Sequence, residues 1–140
     1  MKYSPNISMA LRAAYLSMHR LSNLHLIDYG ITADQFVCLS ILYDNPGITQ
    51  QELAKLAASD ANTIRAMLLL LEKKGLVIRK DHPGDGRAFH VSLTRKGENT
   101  YEKSSEALDP VRERMFNFIN ENEADILYTK LIRMSEELNK

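Results

Sequence analysis

Between Ser59 and Leu93 the apolar spacing changes period once, at a glycine. Ile64, Met67, Leu68 and Leu71 recur at helical spacing, the stripe of a helix that buries one face. Beyond Gly75, Leu76-Val77-Ile78-Arg79 reads as a strand, and Phe89-His90-Val91-Ser92-Leu93 alternates apolar and polar residues, the period of a half-buried strand. Asp81-His82-Pro83-Gly84-Asp85-Gly86 carries a proline and two glycines, which favours turn conformations. The segment therefore predicts a helix followed by a hairpin, the two strands flanking a glycine-rich loop.

Two helix starts precede it. Thr32 with Gln35 three residues on, and Thr49 with Glu52, predict capping boxes, with Ile31/Phe36 and Ile48/Leu53 placed as hydrophobic staples. Asn45-Pro46-Gly47 stops the helix between them. The short helix after Thr49 carries Leu53, Leu56 and Ala57, and Ser59-Asp60 caps the next, which runs to Lys74. Two short helices joined by so brief a turn predict a helix-turn-helix. Upstream, Ser4-Pro5 opens a helix reaching towards Tyr29-Gly30. Downstream, Thr94 caps a helix towards Leu108, which Pro110 must break or kink. Val111, Met115, Phe118 and Ile119 continue an apolar stripe, and a last helix after Asn122 presents Ile126, Leu127, Leu131, Met134 and Leu138. The fold class is mainly α with a small β-hairpin wing.

The 140 residues suit one domain, and 44% apolar with 26% charged residues is ordinary for a globular chain. A single cysteine, Cys38, excludes an intrachain disulfide. No stretch approaches the roughly 18 apolar residues of a membrane span, and residues 1–18 lack the apolar core of a signal peptide, so a cytoplasmic location is expected. The formal net charge is zero, but it is unevenly placed. Thr49–Gly97 holds nine Lys/Arg against five Asp/Glu, whereas Glu98–Lys140 holds six against ten. An anionic partner would sit on the basic middle.

The element order and several motifs resemble the multiple-antibiotic-resistance regulator (MarR) family of bacterial repressors. Leu71-Glu72-Lys73-Lys74-Gly75-Leu76-Val77-Ile78-Arg79, then Asp85-Gly86-Arg87, then Val91-Ser92-Leu93-Thr94-Arg95-Lys96-Gly97 resemble the family's helix end, its wing and its strand-to-helix junction. The resemblance covers the chain as one unit, 1–140. It implies a winged helix-turn-helix over 31–97 and a helical dimerisation part from 1–30 and 98–140. It further implies an obligate homodimer, a palindromic double-stranded operator, and release by a small phenolic or anionic effector. Repression of transcription is the expected outcome.

A helix reads the major groove with its N-terminal side chains. With Ile64, Met67, Leu68 and Leu71 turned inward, Asp60, Asn62, Thr63, Arg65 and Ala66 are left to face DNA. Arg65 suits a guanine edge, Asn62 an adenine, and Thr63 a phosphate or a thymine methyl, each good contact discriminating by about 1–3 kcal/mol. Ser59 is expected either as the cap or as a phosphate contact. At the wing, Arg87 suits the narrow, electronegative minor groove, with Asp85 placed to orient it. Thr49, Gln50, Gln51, Arg79, Lys80 and Lys96 are candidates for backbone contacts, which set register and affinity. The run Met67-Leu68-Leu69-Leu70-Leu71 is apolar nearly all round, so some leucines must be exposed or meet another subunit.

Cys38, among Phe36, Val37 and Leu39, reads as inert packing rather than an oxidant sensor. His19, His25, His82 and His90 lack partners at metal-ligand spacing, so no metal or other cofactor is expected. No nucleophile–base pair or phosphate loop points to an enzyme. His19, His25, Tyr29 and Phe36 fall where the resemblance places an effector pocket, although core and interface roles suit them too. The competing reading is a winged-helix module for protein contact or dimerisation alone.

Overall fold

The computed structural model describes residues 6–82 and 85–140, with side chains described at 6–80 and 89–140. The chain divides into two units, 1–108 and 109–140. The first contains α1 (Asn6–Leu26), a 3-10 turn (Ile27–Tyr29), α2 (Ala33–Asp44), β1 (Ile48–Thr49), α3 (Gln50–Leu56), α4 (Ala61–Lys73), β2 (Val77–His82), β3 (Asp85–Leu93) and α5 (Arg95–Ala107). The second contains α6 (Asp109–Phe116) and α7 (Glu121–Leu138). The Ser4-Pro5 helix start lies outside the described residues.

Local signals fix most of the helix ends. Thr32 caps α2 in a full capping box, its hydroxyl accepting from the Gln35 amide while Gln35 Oε1 accepts from the Thr32 amide, both at 3.1 Å. At α3 the expected box forms only in half. Thr49 Oγ1 accepts from the Glu52 amide, but the Glu52 carboxylate takes the Thr49 hydroxyl proton rather than the Thr49 N–H. Thr49 is also the last residue of β1, a strand that the sequence does not announce; it pairs with His90 while Ile48 pairs with Val91.

The α3–α4 turn closes like a Schellman motif. The Ser59 amide donates to Ala54 O and the Ala58 amide to Lys55 O, with Ala58 in the left-handed region at φ 51°. The end of α4 repeats that closure, Leu76 N to Leu71 O and Gly75 N to Glu72 O, each 2.9 Å. Here glycine occupies the left-handed position, at φ 73°.

The sheet is antiparallel in the order β1-β3-β2. Its hairpin is longer than expected. The strands pair from Val77↔Leu93 out to His82↔Asp85, with a register irregularity at Asp81/His82. The expected glycine-rich loop is thus largely strand, because antiparallel backbone pairing holds polar residues in a ribbon without an apolar alternation to announce them.

Leu26, Leu39, Leu42, Leu53, Ile64, Leu68, Leu71 and Val91 form the buried core of the first unit. Helix α5, capped by Thr94, ends at Ala107, and Pro110 falls in the first turn of α6, where a missing N–H is tolerated. In the second unit Asn120 forms a capping box with Glu123. No residue of α7 is buried, and Ile126, Leu127, Tyr128, Leu131, Ile132, Met134 and Leu138 are all exposed. Among the described residues no helix is long and apolar enough to cross a membrane.

Candidate nucleic-acid interface

Helix α4 is anchored by Ile64, Leu68 and Leu71, each no more than 1% exposed. That fixes its rotation, so Asn62, Thr63, Arg65 and Ala66 all stand in solvent, as expected. Lys73 belongs with them: 62, 66, 69 and 73 lie on one helical face, and all four residues are exposed. Leu69 and Leu70 are 46% and 51% exposed, so this chain leaves about half of each uncovered.

The start of the helix is built by Asp60. Its carboxylate accepts from the Thr63 amide at 2.8 Å and from the Thr63 hydroxyl at 2.9 Å. These bonds, with a further one from the Asn62 amide, hold the Asp60 carboxyl below its ordinary pKa. The cap is therefore Asp60 and not Ser59, whose amide instead closes the preceding turn. Asp60 and Thr63 already satisfy one another, which sets the direction of the helix and leaves Asn62 and Arg65 as its freest polar side chains.

The outlying candidates divide. Gln51 and Lys80 are exposed, Thr49 and Gln50 half-buried. The Thr49 hydroxyl is engaged with Glu52. Arg79 is turned onto the protein, paired with Glu72 of α4 and lying over the Phe89 ring at 5.5 Å. Lys96 donates to the Lys74 carbonyl at 2.8 Å. The sequence displays both charges but not the internal partners that occupy them. The backbone of Asp85 and Arg87 lies in β3, and their side chains, on which the wing expectation rests, lie outside the described residues.

The wing is tied to the turn between α2 and β1. The Gly47 amide donates to Val91 O at 3.0 Å, and His90 Nδ1 lies 2.6 Å from Gly47 O.

Of the expected effector residues, His19 stacks on Tyr15 at 5.5 Å and lies 4.0 Å from Asp34. Phe36 stacks on Tyr101 of α5, which also meets Tyr43. His25 is half-buried and Tyr29 exposed. Phe36 and His19 thus have separate aromatic partners. Cys38 is 1% exposed, with its thiol 3.1 Å from Met67 Sδ. Burial, aided by the Asp34 charge, pushes the thiol up to about 11.

A recognition-type helix set on a three-stranded sheet, with a hairpin extending beside it, defines a winged helix-turn-helix protein. The sequence model of the MarR family matches residues 31–89. Over 131 residues the chain is 30% identical to the transcriptional regulator HosA of Escherichia coli O111:H-, covering 89% of this chain and 96% of HosA. The chain belongs to the MarR family of transcriptional regulators. Among solved structures, it superposes on a cysteine-to-serine mutant of E. coli MarR complexed with operator DNA with a TM-score of 0.84 at 26% identity, covering 93% and 94% of the two chains. The repressor CouR bound to a 23-mer DNA duplex gives 0.83 at 26%, covering 94% and 96%.

Proposed function

We propose that the protein binds a palindromic double-stranded DNA operator as a homodimer and represses transcription in the cytoplasm. The exposed polar face at the start of α4 carries this reading: Asn62, Thr63 and Arg65 stand clear of a helix whose other face is locked into the core. Such a face fits the major groove and its base edges. Arg65 and Asn62 supply base contacts; Gln51, Lys80 and Lys73 supply backbone contacts; Arg87 of the wing reads the minor groove. The solved complexes of MarR and CouR with DNA support the assignment. Family membership disfavours a protein-contact module.

The dimer has its own support. Helix α1 buries only Leu26 and exposes Ile7, Met9, Leu11, Tyr15, Leu16 and Leu24, while α7 buries nothing. Apolar surface on that scale marks an interaction site, and two-fold pairing matches a palindromic site with half-sites a helical turn apart. A small phenolic or anionic effector binding near His19, His25, Tyr29 and Phe36 releases the DNA. Binding measured against salt is the test. The DNA reading requires a log–log slope of about −0.9 per phosphate neutralised, with Arg65→Ala losing discrimination between sites. A flat response contradicts it.

A further inference from the structure

We propose that Lys74 is a positioning residue of the DNA-reading head, a brace that sets the recognition helix against the α1–α2 joint without touching DNA; this rests on the DNA-binding function proposed above. Lys74 is the C-cap of α4, roughly 18 Å along the helix from Asn62 at 1.5 Å per residue. Its ammonium donates to Gly30 O at 2.5 Å and to Gln35 Oε1 at 3.1 Å. Gly30 ends the 3-10 turn that follows α1. Gln35 is a buried polar side chain, and the same Oε1 accepts the Thr32 amide in the α2 capping box.

The joint is tied in turn to α1, whose Asn23 Oδ1 accepts the Ala33 amide at 2.7 Å. On its other side, the Lys74 carbonyl accepts Lys96 Nζ from the first turn of α5. One residue at the foot of the recognition helix therefore connects α1, α2 and α5. A shift of α1 against α2 moves both acceptors of the Lys74 ammonium, and α4 must follow or lose the bonds. In the sequence, Lys74 is one of the nine basic residues of the 49–97 segment, with nothing to set it apart. The geometry assigns its charge, on an exposed residue, to two acceptors of the same chain, Gly30 O and Gln35 Oε1.

Salt dependence separates the two roles, because a phosphate contact contributes about 0.9 to the log–log slope and an internal brace contributes nothing. Full-length wild type and Lys74→Met are titrated, across a range of KCl concentrations, against a duplex selected from a random library by the wild type and against a scrambled duplex. The brace predicts at least a tenfold loss of affinity for the selected duplex, unchanged affinity for the scrambled one, and an unchanged slope. Unchanged affinity for the selected duplex overturns it, as does a slope shallower by about 0.9. If Lys74→Met fails to fold, Gln35→Met gives the same reading: it removes one acceptor and must lower affinity for the selected duplex at constant slope, and no loss overturns the brace. A wild type that selects no sequence instead overturns the DNA-binding function, and the brace with it.

Discussion

Gly97 and Leu76 meet so closely that no side chain fits between them: a Cβ on Gly97 would lie 2.0 Å from the Leu76 carbonyl oxygen. The approach is held from both sides. The Thr94 amide donates to that same oxygen at 3.0 Å, and the Thr94 hydroxyl donates to Gly75 O at 2.6 Å while accepting the Gly97 amide at 3.0 Å. Two sequence motifs, Lys74-Gly75-Leu76 and Thr94-Arg95-Lys96-Gly97, are thus halves of one clamp that closes the winged unit at the C-terminal end of α4.

Gly97→Ala should accordingly be among the most damaging small substitutions. Overpacking typically costs about 1–3 kcal/mol, and here the obstacle is backbone, which cannot rotate away. Urea unfolding should place the midpoint well below wild type; an unchanged midpoint would show that the two segments part easily.

Ala58→Gly should act in the opposite direction. Ala58 holds the left-handed position of the α3–α4 turn, where a non-glycine residue carries roughly 1–2 kcal/mol of steric penalty. Part of the gain is offset by the greater freedom of glycine in the unfolded chain. The expected outcome is a small rise in thermal midpoint, and a fall would contradict it.

Asp60 links stability to pH with a definite sign. Its folded-state pKa is depressed by the Thr63 bonds, so its contribution is present at neutral pH and lost as pH falls below the ordinary Asp value of about 4. The stability difference between wild type and Asp60→Ala should therefore narrow in acid. A constant difference from pH 7 to pH 3 would remove the charge from the cap's role.

Cys38 should be inert in the folded protein. With its pKa near 11, the reactive thiolate is roughly one molecule in a thousand at pH 8, and the sulfur is buried. Iodoacetamide should label it only after unfolding. Labelling of the native protein at the rate of a free thiol would reopen the case for an oxidant sensor.

The parts of this fold legible in the sequence are those fixed by neighbours in the chain. Thr32 with Gln35, Thr94 before Gly97, and Gly75 after Lys74 each declare a helix end within a few residues, and the structure places them as expected. The inward stripe Ile64-Leu68-Leu71 likewise fixed which side of α4 faces out. What escaped depends on distant partners. Ile48-Thr49 is a strand only because Val91 and His90 lie beside it. Arg79 and Lys96 looked free for DNA because a sequence shows a charge and not the Glu72 carboxylate or the Lys74 carbonyl that engages it.

The central claim, a two-fold reader of duplex DNA, is tested most directly by hydroxyl-radical footprinting of the purified protein on the DNA flanking its own gene. The account predicts two symmetry-related protected patches, with half-site centres about one helical turn apart or a multiple of it, both weakened together by Arg65→Ala. A single unsymmetrical patch, or no protection at any protein concentration in low salt, would contradict it.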